Sequence, residues 1–141
     1  MYATVADMVQ RFGERHCAEL TRAPRDGIDE AVMTNALIQA SAEIDGYLVA
    51  LYPTPWPDTP RILVGRCCDI ARYQLTTAGR PLTDEIRLRY EDAIRFLEKV
   101  AAGTIRLGRD DSGSVYRPTA QARFISTPRR FSRDDTKGGA F

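Results

Sequence analysis

The chain has 141 residues, the length of one ordinary domain with a single hydrophobic core. Its composition, 43% hydrophobic and 28% charged, is typical of a globular protein and excludes a fibrous or wholly disordered one. The net charge is +1, but residues 1–102 carry a net charge of −3 and residues 103–141 a net charge of +4. This asymmetry indicates an acidic body and a basic C-terminal segment suited to an electrostatic contact.

Membrane and secretory signals are absent from the sequence. No apolar run approaches the roughly 20 residues of a membrane span, and the start, "MYATVADMVQRF", has no basic stretch followed by an apolar one. The cysteines, Cys17, Cys67 and Cys68, are odd in number and two are adjacent, which does not fit a disulfide framework. We therefore expect a protein made in a reducing cytoplasm that does not enter a membrane.

The first elements in chain order are helical. Thr4 is the expected N-cap of a helix with Asp7 at its third position, and Gly13 is the expected end of that helix. The stretch "ERHCAELT" predicts one or two further helical turns. The proline and glycine of "RAPRDG" then predict a loop.

The longest helical pattern follows Asp29 and runs through "EAVMTNALIQASAEIDGYLVALY". Its apolar residues fall on one helical face, namely Val32, Ala36, Leu37, Ala40, Ile44, Leu48 and Leu51. Small residues at Ala36, Ala40, Ser41 and Gly46 permit a close approach by another helix. Four prolines between Pro53 and Pro60 end the pattern. Trp56, with Tyr47 and Tyr52, is either part of a binding surface or a plug of the core, and the sequence leaves both open.

Two more helices follow the proline-rich loop. The stretch "RILVGRCCDIARYQLTTAG" presents an apolar side of Ile62, Leu63, Cys67, Ile70, Ala71 and Leu75. Thr83 caps the next helix, which carries two acidic residues in its first turn. That helix is expected to bury Ile86, Tyr90, Ala93, Ile94, Leu97 and Val100, and to end at Gly103.

The pattern changes after Gly103. The pieces "TIRLG" and "SVYRP" are β-like and able to pair as a short hairpin, and "ARFIS" is a third extended piece. The sequence therefore predicts an all-α fold: a small bundle of about four main helices, residues 1–102, followed by an extended C-terminal arm, residues 103–141.

No enzymatic or metal site is predicted. The single histidine, His16, has only Cys17 beside it, whereas a metal or catalytic centre needs several convergent groups. Cys67 and Cys68 lie within an apolar helical pattern and are expected to be buried hydrophobic residues. No phosphate-binding, dinucleotide, zinc-protease or nucleophile-elbow motif occurs. We therefore expect no catalytic residue, metal or cofactor.

One charged set has a predicted structural role. Arg66, Asp69 and Arg72 are spaced three apart on one helix, so that the carboxylate is able to pair with either guanidinium. Apolar residues interleave with them, so part of the set faces a neighbour. The expected role is an ion pair that locks the bundle, with a subunit contact as the alternative.

Several stretches taken together resemble a known family. They are "YATVADMVQRFGE", "IDEAVMTNALIQASAEIDGYLVALYPTP", "VGRCCDIARYQL", "EIRLRYEDAIRFLEKVAAGTIRLG" and "RRFSRDDTKGGAF". In this order they resemble a family of Mu-like prophage proteins encoded among head-morphogenesis genes, and the helical arrangement is similar to that of phage head–tail adaptor, or connector, proteins.

The resemblance implies a structural protein that completes the phage head. The implied partners are further copies in a homo-oligomeric ring matching a twelvefold portal, the portal protein itself and the next head–tail joining protein. DNA would pass through the ring without sequence-specific binding. The implied location is the host cytoplasm during assembly and then the head–tail junction of the virion.

The arm is the expected contact region with the portal or a neighbouring subunit. Its aromatic side chains would fill pockets and its arginines would pair with acidic rims. The residues expected at that interface are Phe124, Arg129, Arg130, Phe131, Arg133 and Phe141. The motif "RRFSRDD" matches the family pattern of arginine, aromatic, serine and arginine, whereas the ending "TKGGAF" departs from it.

Two other functions remain open. The runner-up is a cytosolic helical accessory factor of DNA packaging or regulation that binds nucleic acid through the basic arm. The acidic body and the long proline loop do not fit a helix-turn-helix. A small enzyme ranks last, because no set of polar residues converges in the sequence.

Overall fold

The computed structural model describes residues 1–23, 27–54, 56, 58–77, 79 and 81–108, which contain five α-helices and no β-strand. The helices are α1 (Val5–Phe12), α2 (Glu14–Thr21), α3 (Glu30–Leu48), α4 (Arg61–Thr77) and α5 (Asp84–Ala101). The fold class is all-α, as predicted. The stretch predicted as one or two further turns is the separate helix α2, and α3 ends before Tyr52, where a turn replaces the expected last helical residues.

Side-chain caps define where three helices begin. The Thr4 hydroxyl accepts a hydrogen bond from the Asp7 amide at 3.3 Å, and the Asp7 carboxylate accepts one from the Thr4 amide at 2.7 Å. This reciprocal capping box satisfies two backbone donors at the start of α1. At the start of α3 the Asp29 carboxylate accepts hydrogen bonds from the Ala31 and Val32 amides, and at the start of α5 the Thr83 hydroxyl accepts one from the Ile86 amide.

The three long helices form the body. α4 packs against both α3 and α5, and α3 also contacts α5. The short pair α1 and α2 lies against α3 and α4. Gly13 joins α1 to α2 at φ 86°, a left-handed conformation that glycine adopts without a steric penalty.

The core is built mainly from fully buried aliphatic side chains of the three long helices. They are Met33, Leu37, Ile44 and Leu48 of α3, Leu63 and Ile70 of α4, and Leu97 and Val100 of α5. Met8 of α1 and Cys17 of α2 close the same cluster from the side. Two residues of the predicted apolar faces are not buried: Val32 is 38% exposed and Ile62 is 45% exposed. Ile62 lines a groove beside Arg66 instead of entering the core.

The proline-rich loop contributes to the core. Trp56 is buried and packs against buried Tyr52, with ring centroids 5.1 Å apart. The Tyr52 hydroxyl accepts a hydrogen bond from the Leu107 amide at 3.3 Å. Of the two alternatives left open by the sequence, the structure therefore shows Trp56 as a plug of the core.

The chain turns back onto the body after α5. Ile105 and Leu107 are partly buried against the core, and residues 104–108 contain bends at 104, 105 and 108 instead of the predicted strand. The other half of the predicted hairpin lies outside the described residues. The predicted boundary at residue 102, between the helical bundle and the C-terminal arm, stays a prediction. The first residues of the predicted arm contact the bundle.

Candidate functional site

Asp69 is the most buried acidic side chain of the body. It lies on α4, its side chain is 1% exposed, and both carboxylate oxygens accept hydrogen bonds from Arg11 of α1, at 3.1 and 2.9 Å. A guanidinium of Arg89 on α5 lies 4.0 Å away. Burial raises the pKa of the Asp69 carboxyl, and the neighbouring Arg11 opposes that shift. The two-pronged bond fixes α1 against α4.

The predicted pairing within α4 is corrected by this geometry. No ion pair within 4.0 Å joins Asp69 to Arg66 or Arg72 among the described residues of α4. The short carboxylate points toward α1, where the planar fork of Arg11 offers two parallel bonds and a neighbour three residues along the same helix offers poorer geometry. That the set has a structural role stays a prediction.

Arg66 and Arg72 have other partners. Arg66 lies over the Phe96 ring of α5, 5.1 Å from its centroid. Arg72 is buried, lies 4.6 Å from the Phe12 ring centroid, donates to Nε2 of His16 at 3.0 Å and pairs with Glu85 at 3.5 Å. The two arginines therefore connect α4 to the helices on either side of it.

The sequence contained one signal for the missed partner of Asp69. A carboxylate flanked by Cys68 and Ile70 on an apolar helical face requires a cation from another element, because an unpaired buried charge is costly. The sequence does not identify the cation that pairs with Asp69, because Arg11 lies 58 residues away in the chain. Arg89 was missed for the same reason.

An open groove runs beside this ion pair, between α1 and α4. Its larger part has a volume of about 510 Å³ and its smaller part about 240 Å³. Arg11, Arg61 and Gly65 line both parts. A Cβ atom at Gly65 would lie 3.4 Å from Nη1 of Arg11, so the guanidinium lies within contact distance of α4 at this glycine. We call this feature the α1–α4 groove.

A second surface lies on the outward side of α3. Its exposed residues are Ala31, Val32, Asn35, Ile38, Gln39, Ala42 and Gly46, followed by Val49 and Ala50 of the next turn, and all are uncharged. Ile38 is 52% exposed and Val49 is 65% exposed. We call these nine residues the α3 face.

The acidic residues near the end of α3 are engaged inside the body. The Tyr2 hydroxyl donates to Asp45, and Glu43 accepts hydrogen bonds from the Tyr90 hydroxyl and the Gln74 amide, each at 3.0 Å. Burial and the Glu43 hydrogen bond raise the pKa of Tyr90 to about 12. These bonds draw both carboxylates away from the α3 face.

The remaining candidate groups carry no evident chemistry. Cys17, Cys67 and Cys68 are free and buried, and burial raises the pKa of each thiol. The described residues contain no group of three or more histidine, cysteine, aspartate or glutamate side chains that could hold a metal ion. None of the five helices is long and apolar enough to cross a lipid bilayer. The six predicted interface residues between Phe124 and Phe141 lie outside the described residues.

Comparison with known proteins agrees with the predicted resemblance. Residues 2–126 match the family model described as Bacteriophage Mu, Gp36. The chain is 36% identical over 139 residues to the Mu-like prophage FluMu protein gp36 of Haemophilus influenzae, covering 98% of this chain and 97% of that protein. It is 39% identical over 121 residues to Gene product J of Escherichia phage Mu, covering 84% of this chain and 81% of that protein. The chain is thus a phage protein, and it belongs to the bacteriophage Mu Gp36 family.

Proposed function

We propose that the protein is a structural subunit of a phage head–tail adaptor, a ring that assembles beneath the portal and receives the tail. The observation that carries this proposal is the α3 face, an uncharged helical surface about 28 Å long on an otherwise charged body. An exposed apolar face rimmed by polar residues is characteristic of a protein–protein contact.

The contrast with α5 supports this interpretation. The exposed residues of α5 are mostly charged, and they form ion pairs along their own helix, such as Arg95 with Asp92 at 3.0 Å and Arg87 with Asp84 at 3.2 Å. The charged groups of such a surface are hydrated by water and paired with one another. The α3 face has no comparable internal pairing, and its exposed Ile38 and Val49 gain free energy only when another molecule covers them.

Gly46 adds a separate argument. An alanine costs roughly 0.5–1 kcal/mol less than a glycine inside a helix, and an added Cβ at this position meets nothing within 4 Å. Packing inside the subunit therefore gives no reason for the glycine. Close approach of a second helix from another subunit gives one.

A role without catalysis is part of the same proposal. The side chains with raised pKa values, Asp69, Tyr2, Tyr90 and the cysteines, are engaged in packing or in hydrogen bonds between helices. The partners of the ring would be the portal protein and the next joining protein. Its location would be the host cytoplasm and then the head–tail junction.

The test is electron microscopy of the purified full chain, alone and with the portal protein of the same phage. We expect rings in at least one of the two samples. A protein that stays monomeric in both, but binds duplex DNA with strong salt dependence, would favour the packaging or regulatory factor instead.

A further inference from the structure

We propose that the Glu43 carboxylate and the tyrosine rings beside it form a binding site for an arginine side chain, and that this arginine comes from residues 129–133 of the same chain. The Glu43 site comprises five half-buried side chains of three helices, namely Glu43 and Tyr47 of α3, Tyr73 and Gln74 of α4, and Tyr90 of α5. We call residues 129–133, "RRFSR", the arginine segment. The proposal concerns one subunit and does not rest on the formation of a ring.

Glu43 is a half-buried carboxylate whose hydrogen-bond donors are neutral. Its two oxygens accept from the Tyr90 hydroxyl and from the Gln74 side-chain amide, each at 3.0 Å. No arginine, lysine or histidine of the described residues forms an ion pair with it, whereas buried Asp69 is paired with Arg11. Each carboxylate oxygen has a second lone pair, and a bond to a cation is stronger than one to a neutral donor. Glu43 therefore retains capacity for a charged donor.

The tyrosines provide the other half of an arginine site. The Tyr73 and Tyr90 rings are stacked, with centroids 3.9 Å apart and planes 9° apart. Burial, the Glu43 hydrogen bond and the nearby Glu43, Tyr73 and Tyr47 groups raise the pKa of Tyr90 to about 12, so the phenols gather at one carboxylate. Within the described ranges, no arginine lies over the Tyr73 or Tyr90 ring. A planar guanidinium is able to stack on a ring and donate to a carboxylate at once, which an ammonium does less well.

The charge of the chain favours its own C-terminal segment as the source of the arginine. Residues 1–102 carry a net charge of −3 and residues 103–141 a net charge of +4. The arginine segment holds three arginines and no acidic residue, with Phe131 among them. Including the two aspartates that follow it, residues 127–141 still carry four basic and two acidic residues. Its charge is opposite to that of Glu43 and of the body.

The structure shows where this C-terminal segment leaves the body. The Leu107 amide donates to the Tyr52 hydroxyl at 3.3 Å, one residue before the described chain ends. Glu43 precedes Tyr52 by nine residues, which is roughly 14 Å of helical rise. Arg129 follows Leu107 by 22 residues, and these span up to about 75 Å. The arginine segment therefore has ample reach to its own Glu43 site, and attachment gives it an effective concentration of roughly millimolar.

A peptide-binding experiment tests the site. The receptor is the full chain carrying R129A, R130A and R133A, so that its own segment does not compete. The probe is a fluorescently labelled peptide of residues 124–133. We expect saturable binding that weakens as salt is added, and at least about fivefold weaker binding when the receptor also carries E43Q. A probe carrying R129K, R130K and R133K should bind about threefold more weakly or worse, because lysine lacks the planar fork.

The wild-type chain tests the source of the arginine. At a concentration low enough to prevent assembly, it should bind the same probe at least about fivefold more weakly than the receptor, because its own segment occupies the site. A labelled peptide of residues 114–123, which has the same length and holds two arginines and no acidic residue, should bind the receptor more weakly than the probe.

Controls separate the Glu43 site from charge elsewhere and from unfolding. E30Q removes an exposed carboxylate at the start of the same helix and should leave the affinity unchanged. E43Q should keep the helix content, because a glutamine there is able to accept from Tyr90 and, once the Gln74 amide turns over, to donate to its oxygen, which has no donor among the described residues. If E43Q unfolds the chain, Y73L takes its place, since it removes a ring face and keeps the carboxylate.

Four results would overturn the proposal. The first is a probe affinity that E43Q or Y73L, in a folded receptor, does not change. The second is an equal loss for E30Q, which would show attraction to the whole acidic body. The third is equal or tighter binding of the 114–123 peptide or of the lysine probe. The fourth is a wild-type chain that binds the probe as tightly as the receptor does, which would mean that its own segment does not occupy the site. None of these results depends on whether the protein forms a ring.

Discussion

Asp69 shows how one buried side chain relates helices that are distant in sequence. The carboxylate is almost wholly removed from water, and its free energy there depends on the two hydrogen bonds from Arg11. An apolar residue of similar volume would satisfy the same position without a partner. The ion pair therefore selects one position of α1 on α4, and that position shapes the α1–α4 groove.

Removing the carboxylate should destabilise the fold. We expect Asp69→Ala to lower the free energy of unfolding by about 2–5 kcal/mol, because it leaves Arg11 partly buried and unpaired. We expect a loss near the lower end of this range, because the Arg11 side chain is 36% exposed and able to regain water. The measurement is urea unfolding followed by circular dichroism. The matched control is Asp92→Ala, which removes an exposed ion pair and should cost under about 1 kcal/mol. Equal losses for the two variants would contradict this account.

Buried phenols and thiols predict a loss of stability at high pH. Burial and the Glu43 hydrogen bond raise the pKa of Tyr90 to about 12, from its ordinary value of 10.0. Burial raises the pKa of Cys68 to about 12, from 9.0, and burial with the Asp45 hydrogen bond raises that of Tyr2. The folded chain thus keeps protons that the unfolded chain has lost. The free energy of unfolding should be nearly constant between about pH 7 and 8 and fall as pH rises from about 9 toward 12.

Urea unfolding at steps of pH between 7 and about 11 measures this slope. Tyr90→Phe should flatten the part of the fall above pH 10, because the variant has no proton to lose there. A free energy of unfolding that does not change between about pH 9 and 11 would show that these groups titrate alike in both states.

The thiols of the three cysteines should be unreactive in the folded protein. Cys17, Cys67 and Cys68 are buried, and burial raises the pKa of each thiol, so the reactive thiolate is scarce near neutral pH. We expect a thiol reagent such as dithionitrobenzoate to label none of them until urea is added, and then to label all. Rapid labelling of a thiol under native conditions would show that the body opens locally there.

At the scale of single elements, the helix ends and glycines follow local rules. Gly13 and Gly46 form a matched pair, since an added Cβ meets nothing within 4 Å at either one. They differ in backbone conformation, because Gly13 has φ 86° and Gly46 lies within α3.

The two glycines should therefore respond oppositely to alanine. Gly46→Ala should stabilise the subunit by roughly 0.5–1 kcal/mol, through the better helix propensity of alanine. Gly13→Ala should destabilise it by about 1 kcal/mol or more, because alanine is strained at a left-handed φ. Thermal unfolding of the monomeric subunit, at a concentration low enough to prevent assembly, checks both signs. Destabilisation by Gly46→Ala would mean that α3 is more crowded than described.

Much of the fold was predictable because its signals are local. The capping pairs at Thr4 and Thr83, the glycine stops and the apolar spacing of α4 and α5 all act within a turn or two of helix. The contacts that define the candidate site are not local. Arg11 meets Asp69 across 58 residues, and Glu43 meets Tyr90 across 47, so single-sequence patterns contain no record of either pair.

Periodicity also misjudged how much of α3 is buried. Its apolar residues extend around the helix, and periodicity alone does not say which of them a neighbour covers. Val32 belongs to the apolar face predicted for this helix, yet it is 38% exposed and lies on the α3 face. The sequence correctly indicated that apolar residues extend around much of α3. Those apolar residues that the subunit itself leaves exposed are the ones that indicate a binding partner.

At the scale of the whole molecule, three parts of the chain differ in charge. The α3 face is uncharged, the α1–α4 groove is locally cationic, and residues 103–141 carry a net charge of +4 with two aspartate pairs. A subunit with such distinct surfaces suits a heterologous contact, in which one surface of each copy meets a different surface of the next. Contacts of this kind close into a ring when the rotation between copies fits.

The central claim, that the α3 face mediates assembly of a ring, is tested most directly by the particle formed by wild type and by Ile38→Glu. The control is Leu88→Glu, which changes an equally exposed leucine on the charged surface of α5, 53% exposed against 52% for Ile38. The measurement is particle mass in solution with electron microscopy of the same samples, with portal protein present in each. The account predicts rings for wild type and Leu88→Glu, and folded monomers with unchanged helix content for Ile38→Glu. Rings of Ile38→Glu as abundant as those of wild type, or no wild-type ring at all, would contradict it.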